Sequence, residues 1–343
     1  MLLMTAENRL KYSVDGEVPD LNLDDAVLVV EKLRTHFFTR QGVVKAVDGV
    51  GFVVNRNETL GLVGESGCGK TMTCLSILGL VPRPGRIVGG KVLLKGENLV
   101  NKSEKEMARI RGRRLTMIPQ DPMTSLNPVL SIGSQVAEAI RIHQHLRGTR
   151  LYRKTVDILR LVGIPSPEMR LQDFPHQLSG GMRQRVVGAA ALSCLPELLI
   201  ADECTTALDV TIQAQYLSLL KEVQDALQVA VIFITHDLGI VAKMCDRVAV
   251  MYAGKIVESA PMKTLFHNPL HPYTQALLKS LPILNAPQKW LATIEGQPPS
   301  LLNLPPGCSF EPRCSRARRR CRLEYPPSIE IDRAHTVACW QAD

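Results

Sequence analysis

The chain has 343 residues, 45% of them hydrophobic, enough to bury one large core and carry an appendage beside it. Its net charge of +8 raises the question of nucleic acid, but acids and bases are interspersed, and the one dense basic run, Arg316 to Arg322, has few aromatics nearby to stack bases. No nucleic-acid partner is expected. No apolar stretch approaches the ~20 residues that span a bilayer, and no basic region with an apolar signal core opens the chain, so a cytosolic location is expected.

In chain order, residues 1–25 lack a sustained period and read as a flexible extension. Strands are expected at Ala26–Val30 and Ala46–Val54, with Phe37-Phe38 just before the loop signal Thr39-Arg40-Gln41-Gly42. An aromatic at this place can stack on adenine or pack in a core. Thr59-Leu60-Gly61-Leu62-Val63 reads as a buried strand and Met72–Leu78 as a helix. Between them lies Gly64-Glu65-Ser66-Gly67-Cys68-Gly69-Lys70-Thr71, a complete G-x-x-x-x-G-K-[ST] phosphate loop. Such a turn aims backbone N–H groups and a helix dipole at phosphate. Lys70 is expected to reach the outer phosphates and the Thr71 hydroxyl to ligate Mg²⁺.

Lys91–Leu94 reads as a strand, Ser103–Ile110 as a helix, and Leu115–Ile118 as a short buried strand ending at Gln120. From about 122 to 195 the pattern is helical, with segments near 131–145, 150–162 and 179–194. Within it, Ser179 is a candidate N-cap, and Gly180 and Gly181 leave N–H groups open at a helix start. That is a second phosphate-binding device. Two make sense if each faces a nucleotide held by a different subunit.

Strand signals return at Glu197–Glu203, an apolar run ending in the paired carboxylates Asp202 and Glu203. Asp202 is the candidate metal carboxylate, and Glu203 the candidate base that polarises an attacking water. A helix at about 210–227 precedes the strand Ala230–Ile234, which ends in Thr235-His236-Asp237. Strands near 247–252 and 255–258 close the core. Strands alternating with helices, with chemistry at strand ends, indicate an α/β fold on an open, largely parallel sheet. Regular periodicity fades from 281.

Five of the nine cysteines (68, 74, 194, 204 and 245) sit mostly in apolar context and read as small buried hydrophobes. The other four form Cys308-x5-Cys314-x6-Cys321-x17-Cys339 in a proline-rich segment that could barely build its own core. A metal centre is expected there, and thiolates permit Zn²⁺ or an iron–sulfur cluster.

Leu178-Ser179-Gly180-Gly181 resembles the signature of ATP-binding-cassette ATPases, and the other motifs follow in that family's order. The resemblance implies a P-loop nucleotide-binding domain with a helical subdomain. It implies an extension at 1–25, the ATPase at 26–280 (helical subdomain about 122–195), and a small irregular four-cysteine domain at 281–343. Gln120 is similar to the glutamine that senses Mg²⁺, so Thr71, Gln120 and Asp202 are its expected ligands. Ala207-Leu208-Asp209 resembles the loop at the dimer interface, and His236 the switch histidine on the γ-phosphate. Phe37 resembles the adenine-stacking aromatic. Cys204 stands where the family usually has proline.

The run Gln120–Pro128 and His271-Pro272-Tyr273-Thr274 resemble the ATPase subunits of oligopeptide and dipeptide importers, and Met182 is closer to their D-type than their F-type. This implies ATP hydrolysis in a sandwich with a homologous F-type subunit. It also implies two transmembrane permeases, an extracytoplasmic binding protein reached indirectly, and a peripheral site on the cytoplasmic face of the membrane. Some such subunits carry a [4Fe-4S] cluster, which implies Cys308, Cys314, Cys321 and Cys339 as its ligands, with Zn²⁺ the alternative. The competing reading is an ATPase of the same family acting on ribosomes or nucleic acid. Translation-type members usually hold two cassettes and repair-type members a long coiled coil, whereas this chain has one phosphate loop and one signature.

Overall fold

The computed structural model describes residues 25–281 and 293–342, apart from positions 207 and 333. The expected extension at 1–25 and the first residue of the interface loop therefore lie outside the described residues, save position 25.

Two sheets organise the chain. The smaller is antiparallel, in the order β2-β1-β4-β5, built from β1 (Ala26–Thr39), β2 (Gly42–Asn55), β4 (Gly85–Leu94) and β5 (Glu97–Asn98). The larger has eight strands in the order β11-β12-β10-β9-β3-β8-β7-β6. Its parallel part comprises β3 (Thr59–Val63), β6 (Leu115–Ile118), β7 (Leu198–Asp202), β8 (Ala230–Ile234) and β9 (Arg247–Tyr252). Antiparallel β10 (Lys255–Pro261), β12 (His335–Val337) and β11 (Ile329–Asp332) extend it.

Every residue of β3, β7 and β8 is buried, which is why these strands read as unbroken apolar runs. Alternate side chains serve two cores, as a period of two requires. Leu198, Ile200, Ile232 and Ile234 face the core shared with the smaller sheet, whereas Leu199, Ala201, Val231 and Phe233 face the core under the helical segment.

The helices are α1 (Lys70–Ile77), α2 (Glu104–Ile110), α3 (Pro122–Ser125), α4 (Ile132–Gln144), α5 (Gly148–Leu161), α6 (Pro167–Arg170) and α7 (Gly180–Leu192). They continue with α8 (Val210–Leu227), α9 (Leu238–Met244), α10 (Met262–His267), α11 (Pro272–Lys279) and α12 (Arg319–Leu323). Helix starts follow capping chemistry. Ser131, Ser179, Asp209 and Asp237 each accept a hydrogen bond from a first-turn N–H, and Ser103 forms a reciprocal box with Glu106.

The structure departs from the sequence reading in three places. The strand expected at Ala26–Val30 runs on to Thr39, so Phe37 and Phe38 lie on its last residues, just before the turn at Arg40 and Gln41. The antiparallel strands form a sheet of their own: short turns join β1 to β2 and β4 to β5, while β4 returns to pair with β1 only after β3 and α1. Finally, the β11–β12 hairpin joins the main sheet through Glu258↔Val337, so this part of the chain's end continues the ATPase sheet. A buried hydrogen bond between His335 Nε2 and Glu258 Oε1, 2.9 Å, fixes that junction.

Candidate active site

The sheet order builds the site. In neighbouring parallel strands Ile118 lies level with Ala201, Asp202 with Ile234, and Ile234 with Leu62. Their C-terminal ends thus deliver Gln120, Asp202-Glu203, His236 and the 64–71 loop side by side. This is where open α/β sheets place ligands.

The loop's glycines are required by close approach. A Cβ on Gly64 would sit 2.2 Å from the Met251 carbonyl oxygen, and one on Gly69 2.3 Å from that of Ala46, and both have positive φ. Lys70 is buried, with Nζ donating to the carbonyls of Gly64 (2.8 Å) and Glu65 (3.0 Å). Cys68 Sγ lies 3.7 Å from the same Nζ, and burial raises its pKa.

Asp202 is 3% exposed, and burial raises its pKa against the opposing hydrogen bond from Thr71. Glu203 has φ 43°, and its N–H donates to the Ile234 carbonyl at 2.9 Å, which locks the ends of β7 and β8 together. Gln120 Nε2 donates to Glu203 Oε2 at 2.8 Å, and His236 Nδ1 lies 3.4 Å from Oε1. Four expected residues therefore meet within one carboxylate's reach of the loop.

Ser66, Gly67, Gly69, Lys70, Thr71, Gln120 and Glu203 line an open cleft of about 320 Å³. Thr71, Asp202 and the Gln120 amide offer the hard oxygens that Mg²⁺ prefers, and a cation would relieve the buried Asp202 carboxylate.

The other expected residues lie elsewhere. Phe37 is turned toward Gly85, where an added Cβ would meet its ring at 2.7 Å, and it does not line the cleft. Ser179 caps α7, its Oγ accepting from Met182 N at 3.3 Å, with Gly180 exposed and no atom near its missing Cβ. Asp209 caps α8, accepting from Ile212 N at 3.0 Å. Neither signature nor Asp209 lines this chain's own cleft. Cys204, in the place of the usual proline, is 2% exposed and its thiol is pushed up to about 12 by burial, which makes it an inert core residue.

Sequence patterns did not reveal a set of contacts by which the C-terminal region holds the phosphate loop. Glu65 N donates to Tyr273 Oη at 2.9 Å, and Arg313 makes a two-pronged bond to the Glu65 carboxylate at 2.7 and 3.0 Å. Leu301 lines the cleft, and its carbonyl accepts from Lys45 N at 3.1 Å. These residues lie 208 and more positions from their partners, with no spacing signal to find them.

The four-cysteine expectation is corrected. Cys308, Cys314, Cys321 and Cys339 line one small cavity, but no group of three or more His, Cys, Asp or Glu among the described residues is placed to hold a metal ion. Burial pushes the Cys308 thiol up to about 11 and raises Cys314 and Cys339. The [4Fe-4S] cluster and its Zn²⁺ alternative are both withdrawn. These thiols are free and packed beside Phe310, Pro326 and Trp340.

A phosphate loop, two carboxylates and a glutamine at adjacent ends of a parallel sheet define a P-loop ATPase. Residues 47–206 match the ABC transporter family, and residues 257–321 match the C-terminal region of oligopeptide/dipeptide transporters. The chain is 51% identical to a probable peptide ABC transporter ATP-binding protein of Sinorhizobium fredii, over 93% of this chain and 96% of that protein. It is 49% identical to the dipeptide transport ATP-binding protein DppD of Bacillus subtilis, over the same shares. A dimeric post-hydrolysis structure of the ATP-binding cassette MJ0796 shares the fold, with a TM-score of 0.62 and 21% identity over 68% of this chain and 98% of that one. The chain belongs to the ATP-binding subunits of ABC transporters, in the group that carries the oligopeptide/dipeptide C-terminal region. It is an ATPase.

The expected F-type partner is corrected as well. The similar proteins are named as D-type or simply as ATP-binding proteins, and the dimeric neighbours are dimers of one named cassette. Nothing in this site selects an F-type subunit over another cassette bearing the same signature.

Proposed function

We propose that this chain hydrolyses ATP to drive the import of dipeptides or oligopeptides. The observation that carries the ATPase half is Glu203, held by Gln120 and His236 at the mouth of the phosphate loop. The peptide half rests on relatives named for dipeptide and oligopeptide transport, matched over more than nine-tenths of this chain.

In this reading, N–H groups of 64–71 and Lys70 bind the phosphates, while Thr71, Asp202 and Gln120 hold Mg²⁺, which neutralises phosphate charge when bound. Glu203 accepts the proton of the attacking water, and Gln120 and His236 fix the carboxylate's two oxygens in place. His236 also senses the γ-phosphate. Leu301 offers apolar cover beside the phosphate loop, and Phe37 is the candidate to stack on the adenine.

The cleft is not lined by this chain's own signature, so a second cassette supplies its counterparts of Ser179, Gly180 and Gly181 across the nucleotide. Asp209 sits at that contact. Closure on ATP and reopening after hydrolysis is the two-state element that moves a transmembrane partner. No helix among the described residues is long and apolar enough to cross a membrane. The chain acts as a peripheral subunit on the cytoplasmic face.

The test is uptake of labelled di- and oligopeptides by cells whose own copy carries Lys70→Ala. ATP-dependent uptake falls to background if the reading holds. Normal peptide uptake, or co-sedimentation of the protein with ribosomes in place of membranes, would overturn it.

A further inference from the structure

Glu65 is an awkward residue for a phosphate loop, because its carboxylate sits in the segment that receives ATP. Like charges at that range repel, and the cost grows as water is excluded. The structure contains an answer to this charge. Arg313 Nη1 and Nη2 grip Glu65 Oε2 and Oε1 at 2.7 and 3.0 Å, and the Arg313 side chain is only 4% exposed. Its remaining donors are occupied as well, Nε by the Glu295 carbonyl at 3.0 Å and Nη2 by that of Ile294 at 3.2 Å, while Nη1 also reaches Tyr252 Oη at 3.3 Å. The Glu65 hydrogen bond drives the guanidinium pKa further upward, against the effect of burial.

The backbone of the same residue is held too. Tyr273, fully buried at the start of α11, accepts from Glu65 N, and Lys70 donates to Glu65 O. Phe310 packs against Tyr252 and Tyr273 with ring centres 5.3 Å apart in each case, and it immediately precedes the turn Glu311–Arg313. One rigid aromatic cluster therefore fixes both the arginine and the tyrosine that hold the loop.

We infer that Arg313 is a positioning residue of the nucleotide site, reaching from the C-terminal region to cancel the Glu65 charge and hold the phosphate loop in its binding conformation. This rests on the ATPase reading of the loop. It gives the C-terminal region a direct hand in nucleotide affinity, since a displacement of residues 310–313 would leave the carboxylate of the loop's Glu65 unpaired.

The experiment compares the full-length wild type, Arg313→Met, Glu65→Gln and the double variant by calorimetric titration with Mg²⁺-ATP and with AMP, which lacks the outer phosphates. Arg313→Met is expected to weaken ATP binding by about tenfold or more and to leave AMP unchanged. Adding Glu65→Gln is expected to restore most of that loss, because the unpaired charge is gone. A merely structural arginine gives no such rescue. Equal losses for ATP and AMP, a double variant no better than Arg313→Met, or unaltered ATP affinity would each overturn the inference. If Arg313→Met fails to fold, Arg313→Lys carries the test, since it keeps the charge but loses the fork. Weakened ATP with unchanged AMP then supports the inference, and any other pattern sinks it. A wild type that binds no ATP would instead remove the ATPase reading on which all of this rests.

Discussion

The phosphate loop and the four-cysteine segment are both short irregular stretches rich in chemically specific residues, and both invite a ligand on sequence grounds. In the loop, position does as much as identity. Gly64 and Gly69 are pressed against the Met251 and Ala46 carbonyls, Lys70 bonds the loop itself, and adjacent strands bring Glu203 and Gln120 to face it. In the cysteine segment, four soft side chains share a cavity, but no metal-holding group forms among the described residues. A motif tied to a strand end and a helix start predicts a site, whereas a count of ligating residue types predicts only proximity.

The sharpest way to press this comparison is Asp202→Asn. Loss of the metal carboxylate is expected to cut Mg²⁺-dependent ATP hydrolysis by about 100-fold or more. The same change should raise the melting temperature without nucleotide. Asp202 has its pKa raised by burial, so its charged form costs stability above that pKa and protonation relieves the cost as pH falls. A calorimetric scan showing a lower melting point for Asp202→Asn would mean that the carboxylate is structural.

The C-terminal side has its own pH signature. Burial lowers the pKa of His271 to about 4, and its Nδ1 accepts from Tyr273 N at 3.0 Å, so the native state needs the neutral ring. The unfolded chain binds this proton near pH 6.5 and the native state only near 4. Stability from this group is therefore full above 6.5 and lost as pH falls toward 4, by about 3 kcal/mol. Glu258 adds to the trend at lower pH. Burial raises its pKa, but hydrogen bonds from His335 and from the Leu270 and His271 N–H groups outweigh burial and leave it lowered. Urea midpoints taken from pH 7 to pH 4 should fall steeply for the wild type and less so for His271→Asn, which keeps a capping oxygen. Parallel profiles would exclude His271 as the source.

Gly307→Ala probes the cysteine segment without touching a thiol. A Cβ there would meet the Cys321 carbonyl at 2.1 Å, beside the hydrogen bond from Cys308 N to that oxygen at 2.7 Å. The expected cost is about 2 kcal/mol, read as a lower unfolding midpoint. An unchanged midpoint would show that this segment contributes little to the folded domain.

Much of the site was legible because its parts are contiguous or lie at the ends of strongly apolar strands. The phosphate loop, Gln120, Asp202, Glu203 and His236 all belong to that class. The full length of β1 was not legible, since it carries register shifts that local sequence does not reveal. Arg313 and Tyr273 act on the loop across 248 and 208 positions, through a turn and a helix start that have no period. The antiparallel strands were seen singly, but their partners depend on pairing over long separations, which one-dimensional patterns leave open.

The central claim, that Glu203 is the base of an ATPase, is tested most directly by measuring phosphate release and ATP binding for wild type and Glu203→Gln side by side with Mg²⁺. The account predicts near-equal ATP affinity and a rate lower by about 100-fold or more in Glu203→Gln. Equal rates in the two proteins would contradict it.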